Sequence, residues 1–162
     1  MSMDRIEKEV VLRASLARVW QAISNADEFG QWFGVRFDGP FVEGASVVGV
    51  ITPTTVDEDV ARRQEAHAGK TDTWQIVAIE PRRRLAFRWH PYPAEAGGEE
   101  TPTTLVEFTL TETDGGVLLR IVESGFEKIP AEHRASVFEG NSEGWAKQTE
   151  LVGKYLALSE KV

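Results

Sequence analysis

The segment LVEFTLTETDGGVLLRIVES, residues 105–124, constrains this chain more than any other. Two runs alternate apolar and polar residues, the pattern of half-buried strands, and Asp114-Gly115 lies between them. Asp-Gly suits a two-residue hairpin turn of the primed kind, with positive φ at both central residues. Such a turn sets Thr113 opposite Gly116, and the register follows: Leu110 opposes Leu119, Phe108 opposes Ile121 and Val106 opposes Glu123. One face of the hairpin is therefore apolar until Glu123 places a carboxylate on it. On the other face Glu107 lies diagonal to Arg120, within reach of a solvated cross-strand pair.

The remaining elements are read around that hairpin. IEKEVVL at 6–12 reads as a first strand, and Ala14-Ser15 offers an N-cap for a helix to about Ser24 with an apolar stripe of Leu16, Val19, Trp20 and Ile23. Asn25 and Asp27 interrupt it, and a short second helix carries Phe29, Trp32 and Phe33 before Gly34 ends it. SVVGVIT at 46–52 and TDTWQIVAIE at 71–80 read as strands, the second turning at Pro81 into LAFRW. The C-terminal third reads as a long helix with Pro130 in its first turn and a stripe of Phe138, Asn141, Trp145, Gln148, Val152 and Tyr155 or Leu156. Gly140 and Gly144 sit one turn apart on it, each costing about 1 kcal/mol relative to alanine. Close approach of a sheet or a ligand is the expected compensation. The charged stretch at 52–70 is open to four readings: a flap, an added hairpin, a disordered loop or a short solvated helix. PYPAEAGGEETP at 91–102 reads as a mobile loop.

Composition narrows the class. A chain of 162 residues, 41% hydrophobic and 27% charged, is expected to form one domain over 1–162 with a core that needs neither disulfide nor metal. No apolar run approaches the roughly 20 residues of a membrane span, so no membrane insertion is expected. The start MSMDRIEKEV lacks the features of a signal peptide and there is no cysteine, which makes the cytoplasm the expected location. A net charge of −8 argues against nucleic acid as a partner. His67, His90 and His133 show no ligand spacing, so no metal is expected; nucleophile-elbow, Walker and dinucleotide motifs are absent, so no cofactor and no catalytic residue is assigned.

Four segments in order, RVWQAISNADEFGQWFG at 18–34, EPRRRLAFRW at 80–89, ESGF at 123–126 and EGNSEGW at 139–145, carry a resemblance. From about Ile6 to Leu156 the chain resembles the START-related helix-grip (SRPBCC) superfamily. Within it the chain is most similar to the family named after the activator of the heat-shock protein 90 ATPase, in its short bacterial single-domain form. The resemblance implies an α+β fold: a curved antiparallel sheet wrapped around a long C-terminal helix, two short helices after the first strand, and a cavity between sheet and helix. The eukaryotic co-chaperone has an additional N-terminal domain for which 162 residues leave no room, so a chaperone partner is not supported by domain content.

In such a fold the aromatic set and the inward polar residues border a pocket for a small hydrophobic or amphipathic ligand, a lipid or an aromatic metabolite. The candidate ligand-binding residues are Trp32, Phe33, Trp74, Phe87, Trp89, Phe108, Glu123, Asn141, Trp145 and Gln148. For each aromatic the competing reading is ordinary core packing. For Glu123 it is a hydrated or arginine-paired strand end, and for Asn141 and Gln148 the satisfaction of backbone groups. Two other functions stay open: an enzyme resembling polyketide cyclases and aromatases, which would use Glu123 in an open cavity, and a protein-interaction module or homodimer whose cavity is closed by side chains.

Overall fold

A computed structural model describes residues 5–91 and 102–159. Strand β1 (Arg5–Leu12) leads into helices α1 (Leu16–Ser24) and α2 (Ala26–Phe33), then β2 (Val35–Phe37) and β3 (Ser46–Ile51). Helix α3 (Glu58–Glu65) precedes β4 (Thr71–Glu80), β5 (Arg84–Trp89), β6 (Thr104–Thr113) and β7 (Gly116–Ser124). A 3-10 turn (Phe126–Lys128) hands over to the 29-residue helix α4 (Ala131–Ser159). The strands form one curved antiparallel sheet in the order β1-β7-β6-β5-β4-β3-β2, and α4 packs against α2 and β1. This is the expected α+β helix-grip architecture. No helix among the described residues is long and apolar enough to cross a membrane. Of the expected loop at 91–102, residues 92–101 lie outside the described residues.

Local chemistry sets the ends of the short helices. Ser15 accepts a hydrogen bond from the Arg18 amide at the start of α1, and Asn25 accepts one from the Glu28 amide at the start of α2. Gly34 closes α2 in the left-handed conformation, φ +97°. Behind these caps Val19, Ala22, Ile23, Phe29 and Trp32 are buried.

The β6–β7 hairpin has the expected register, with Thr113 opposite Gly116 and Val106 opposite Glu123, but not the expected turn. Neither Asp114 nor Gly115 adopts positive φ; the unusual angle falls one residue later, at Gly116, φ +143°. A Cβ there would also lie 2.3 Å from the Leu12 carbonyl oxygen at the end of β1. Both conditions require glycine at 116. The Glu107–Arg120 pair is also not formed. Glu107 accepts from Arg84 of β5 at 2.8 Å and Arg120 pairs with Glu7 of β1 at 2.8 Å. Each hairpin charge meets a partner on its outer neighbouring strand.

Part of the stretch at 52–70 is helical, and the helix is anchored rather than solvated all round. Val60 is buried, and the Gln64 amide donates to the Phe33 carbonyl at 3.0 Å while accepting from the Thr54 amide at 2.8 Å. Asp57 caps α3 by accepting from the amides of Asp59 and Val60, and it pairs with Lys154 of α4 at 2.6 Å. The Lys154 ammonium, helped by the Val60 amide, lowers the Asp57 carboxyl from 3.8 to about 2. A carboxyl depressed in the folded state stabilises above its unfolded value, and that contribution is lost as pH falls through the folded one. We therefore expect Asp57→Asn to lower the thermal midpoint at pH 6 and to flatten the decline of that midpoint between pH 3.8 and about 2. Thermal melts across that range check it; identical pH profiles would contradict the pairing.

Candidate functional site

Three strand ends and one helix face converge on Glu123. Glu123 is next to last in β7, Thr104 opens β6, Trp89 closes β5, and Asn141 and Trp145 lie one turn apart on α4. Gly125, in a left-handed conformation at φ +102°, turns the chain out of β7 toward α4. The Glu123 side chain is 0% exposed. Its Oε1 accepts from Trp145 Nε1 at 2.9 Å and Asn141 Nδ2 at 3.0 Å. Its Oε2 accepts from Thr104 Oγ1 at 2.5 Å, Trp89 Nε1 at 2.8 Å and Asn141 Nδ2 at 3.2 Å. Every partner is neutral, and none of the cations among the described residues pairs with Glu123. Burying a carboxylate without a cation is costly unless donors surround it, and here four side chains supply them.

In front of this cluster lies a cleft of about 90 Å³ lined by Phe33, Trp89, Gly140, Asn141, Gly144, Trp145 and Gln148. Its three rings stand close together, with centroids 5.9 Å apart for Phe33–Trp89, 5.9 Å for Phe33–Trp145 and 5.4 Å for Trp89–Trp145. Gln148 Nε2 donates to the Phe33 carbonyl at 3.1 Å, while Gln148 Oε1 is buried with no hydrogen-bond partner. Of the two expected neighbours of Gly140 and Gly144, a sheet or a ligand, the sheet does not approach them. Apart from the neighbouring residues and backbone of α4 itself, no atom lies within 4 Å of a Cβ built at either position, so these glycines leave the helix face open beside the cleft.

The ten residues named from sequence fall into three places. Phe33, Trp89, Asn141, Trp145 and Gln148 border the cleft, and Glu123 lies behind it. Trp32, Trp74, Phe87 and Phe108 are buried in a continuous aromatic core. There Trp32 Nε1 donates to the Ala22 carbonyl at 2.9 Å, Trp74 stacks on Phe87 at 4.4 Å, and Phe29 stacks on Phe108 at 5.8 Å. Side chains thus fill this part of the space between sheet and helices. Thr104 was missed by the sequence reading, although its phase with Val106 and Phe108 marks it as inward-facing. Glycines 140 and 144 were noticed but not assigned to the site.

Two larger grooves lie elsewhere. One of about 260 Å³ includes Ala26, Gly30, Val35 and Thr52, and one of about 320 Å³ includes Arg5, Arg88, Ser124 and Lys128. Neither contains a buried side-chain polar atom without a partner among the described residues, whereas the smaller cleft does. The histidines are engaged with nearby residues, His90 with Asp72 at 2.6 Å, His133 with Glu132 at 3.5 Å and His67 with Lys70 at 2.9 Å. No group of metal-ligating side chains occurs among the described residues.

Comparison with solved structures places this geometry in a populated fold. DynU16, a protein of the dynemicin biosynthetic locus, superposes with a TM-score of 0.67 at 24% identity over 95% of this chain. The chain spans about half of that protein, 47% of its length. MLL2253 from Mesorhizobium loti gives a TM-score of 0.69 at 20% identity, covering 94% of this chain and 96% of that one. A protein from Arthrobacter aurescens gives 0.71 at 16% identity, covering 97% and 89%. At these identities the likeness is one of fold. No functionally curated protein matches the sequence. The sequence profile of the family described as Activator of Hsp90 ATPase homolog 1-like protein matches residues 13–157, nearly the whole chain, and the chain belongs to that family.

Proposed function

We propose that the chain binds a small aromatic or amphipathic molecule at the mouth formed by Phe33, Trp89 and α4. A head group enters the cleft and the body lies over the open Gly140–Gly144 face. The observation that carries this reading is Gln148 Oε1, a buried acceptor left without a partner beside three aromatic rings. Buried acceptors are normally satisfied, and a bound molecule would satisfy this one once the Gln148 side chain shifts toward the cleft. A cleft of about 90 Å³ is well below the roughly 300 Å³ at which enclosed small-molecule pockets begin. This favours a partly exposed ligand over a lipid swallowed between sheet and helix.

The cyclase-like reading draws on the superfamily and on the biosynthetic locus of DynU16. It receives less support, because both oxygens of Glu123 are already held by protein donors and a proton-transfer role would require those bonds to be exchanged. A chaperone partner or a homodimer draws little support from the surface. The large apolar side chains most exposed among the described residues, Val11, Val42, Val77 and Leu158, come from four different segments.

Native mass spectrometry of the purified chain, followed by denaturing spectra, tests the binding reading: a discrete adduct is expected that leaves when the fold is lost. Gly144→Leu should abolish the adduct by covering the open face, where a Cβ meets no neighbouring element within 4 Å. The same substitution should leave stability unchanged or raised, and Gly144→Ala should stabilise by about 1 kcal/mol through helix propensity alone. An adduct that survives Gly144→Leu would place the ligand elsewhere. For Glu123→Gln we expect a loss of about 3 kcal/mol in chemical melts, since donors aimed at a carboxylate would face an amide N–H₂. A loss of activity with unchanged stability would instead favour the enzyme reading.

A further inference from the structure

The polar groups of the cleft identify the charge of its ligand. This inference rests on the binding reading above and specifies the class of molecule. Four donor groups stand at or just behind the cleft wall, the indole N–H groups of Trp89 and Trp145 and the amide N–H₂ groups of Asn141 and Gln148, and all four are directed into the protein. Three go to the Glu123 carboxylate and the fourth to the Phe33 carbonyl. A carboxylate and a carbonyl only accept, so the orientation of both amides is fixed by their partners. What remains is the oxygen of each amide and the second N–H of Gln148, whose Nε2 makes one hydrogen bond. Gln148 Oε1 has no partner, and the hydrogen bonds of Asn141 use only its nitrogen. The cleft wall therefore keeps more acceptor than donor capacity for a ligand: both indole N–H groups are used, and two amide oxygens remain.

Charge points the same way. Three of the residues that line the cleft, Trp89, Asn141 and Trp145, are among the four that hold Glu123, so the carboxylate stands directly behind its wall with no cation of the described residues against it. Trp89, Trp145 and Phe33 contribute ring surfaces, and aromatic faces attract cations. The net charge of −8 favours the approach of cations over anions. The geometry points to an organic ammonium, a primary amine on an aromatic or short apolar body, as the ligand class. Its N–H groups meet Gln148 Oε1 and Asn141 Oδ1, its charge faces the rings with Glu123 behind them, and its body covers Gly140 and Gly144.

The test uses the full chain and three probes that share a phenyl ring and a short chain but differ in head group: 2-phenylethylamine, 2-phenylethanol and 3-phenylpropionate. Binding is read at pH 7 from the indole N–H resonances in a nuclear magnetic resonance titration. The amine is expected to bind at least tenfold more tightly than the alcohol, with no saturable shift from the carboxylate. Gln148→Lys, which brings a cation to the cleft wall, should weaken the amine at least tenfold. If that variant does not fold, Gln148→Met removes the acceptor at similar length and should weaken the amine about fivefold. Binding of the alcohol or the carboxylate as tight as that of the amine overturns the ammonium assignment while leaving a ligand site at the cleft. Saturable shifts from none of the three overturn both the assignment and the site. Amine binding that is indifferent to both Gln148 variants and to Gly144→Leu overturns the assignment of this cleft.

Discussion

The hydrogen bonds to the buried Glu123 carboxylate are the interaction on which the rest of the site depends. They join the ends of β5, β6 and β7, strands already paired in the sheet, to two successive turns of α4. Apolar packing is non-directional and tolerates sliding of a helix along a sheet. A carboxylate with donors in fixed places does not, because any shift strips bonds from a group that is expensive to bury unpaired. The same arrangement engages both indole N–H groups of the cleft wall and the Asn141 amide nitrogen. Rigidity of the grip and the acceptor character of the mouth follow from one set of bonds.

The second constraint is volume. A curved sheet around a helix leaves an interior that side chains either fill or leave open. Here Phe29, Trp32, Trp74, Phe87 and Phe108 fill the part beneath α2, with ring centroids as close as 4.4 Å. Near the far ends of β5 and β6 the filling gives way to the cleft, and there α4 carries Gly140 and Gly144 where larger residues would close it. Among the described residues, what this filling leaves is a cleft at the rim. Membership of the family sets the scaffold, and these particular side chains set what the scaffold admits.

Much of this was legible in the sequence because it depends on local periodicity. The alternation from Thr104 to Ser124 sets which residues face inward, and it alone puts Glu123 on the buried face. The 3.6-residue stripe of α4 likewise put Asn141, Trp145 and Gln148 on one side. The turn type was not legible, because the nearby Leu12 carbonyl, far away in sequence, decides where glycine is needed. The same is true of α3: its attachment rests on Val60, Gln64 and Asp57 in an otherwise polar stretch, and their partners lie on α2 and α4. Core and rim aromatics were also indistinguishable by type. Phe33 and Trp32 are adjacent in sequence, yet one borders the cleft and the other is sealed in the core.

The most direct test of the central claim is hydrogen exchange at the indole N–H groups of the five tryptophans. If the Glu123 carboxylate holds α4 to the sheet, the N–H groups of Trp89 and Trp145 exchange only when the whole fold opens, as slowly as that of Trp32, which is bonded to the Ala22 carbonyl in the core. Rapid exchange at Trp89 and Trp145, while Trp32 and the backbone of α4 stay protected, would show that the carboxylate does not hold them and would contradict the account.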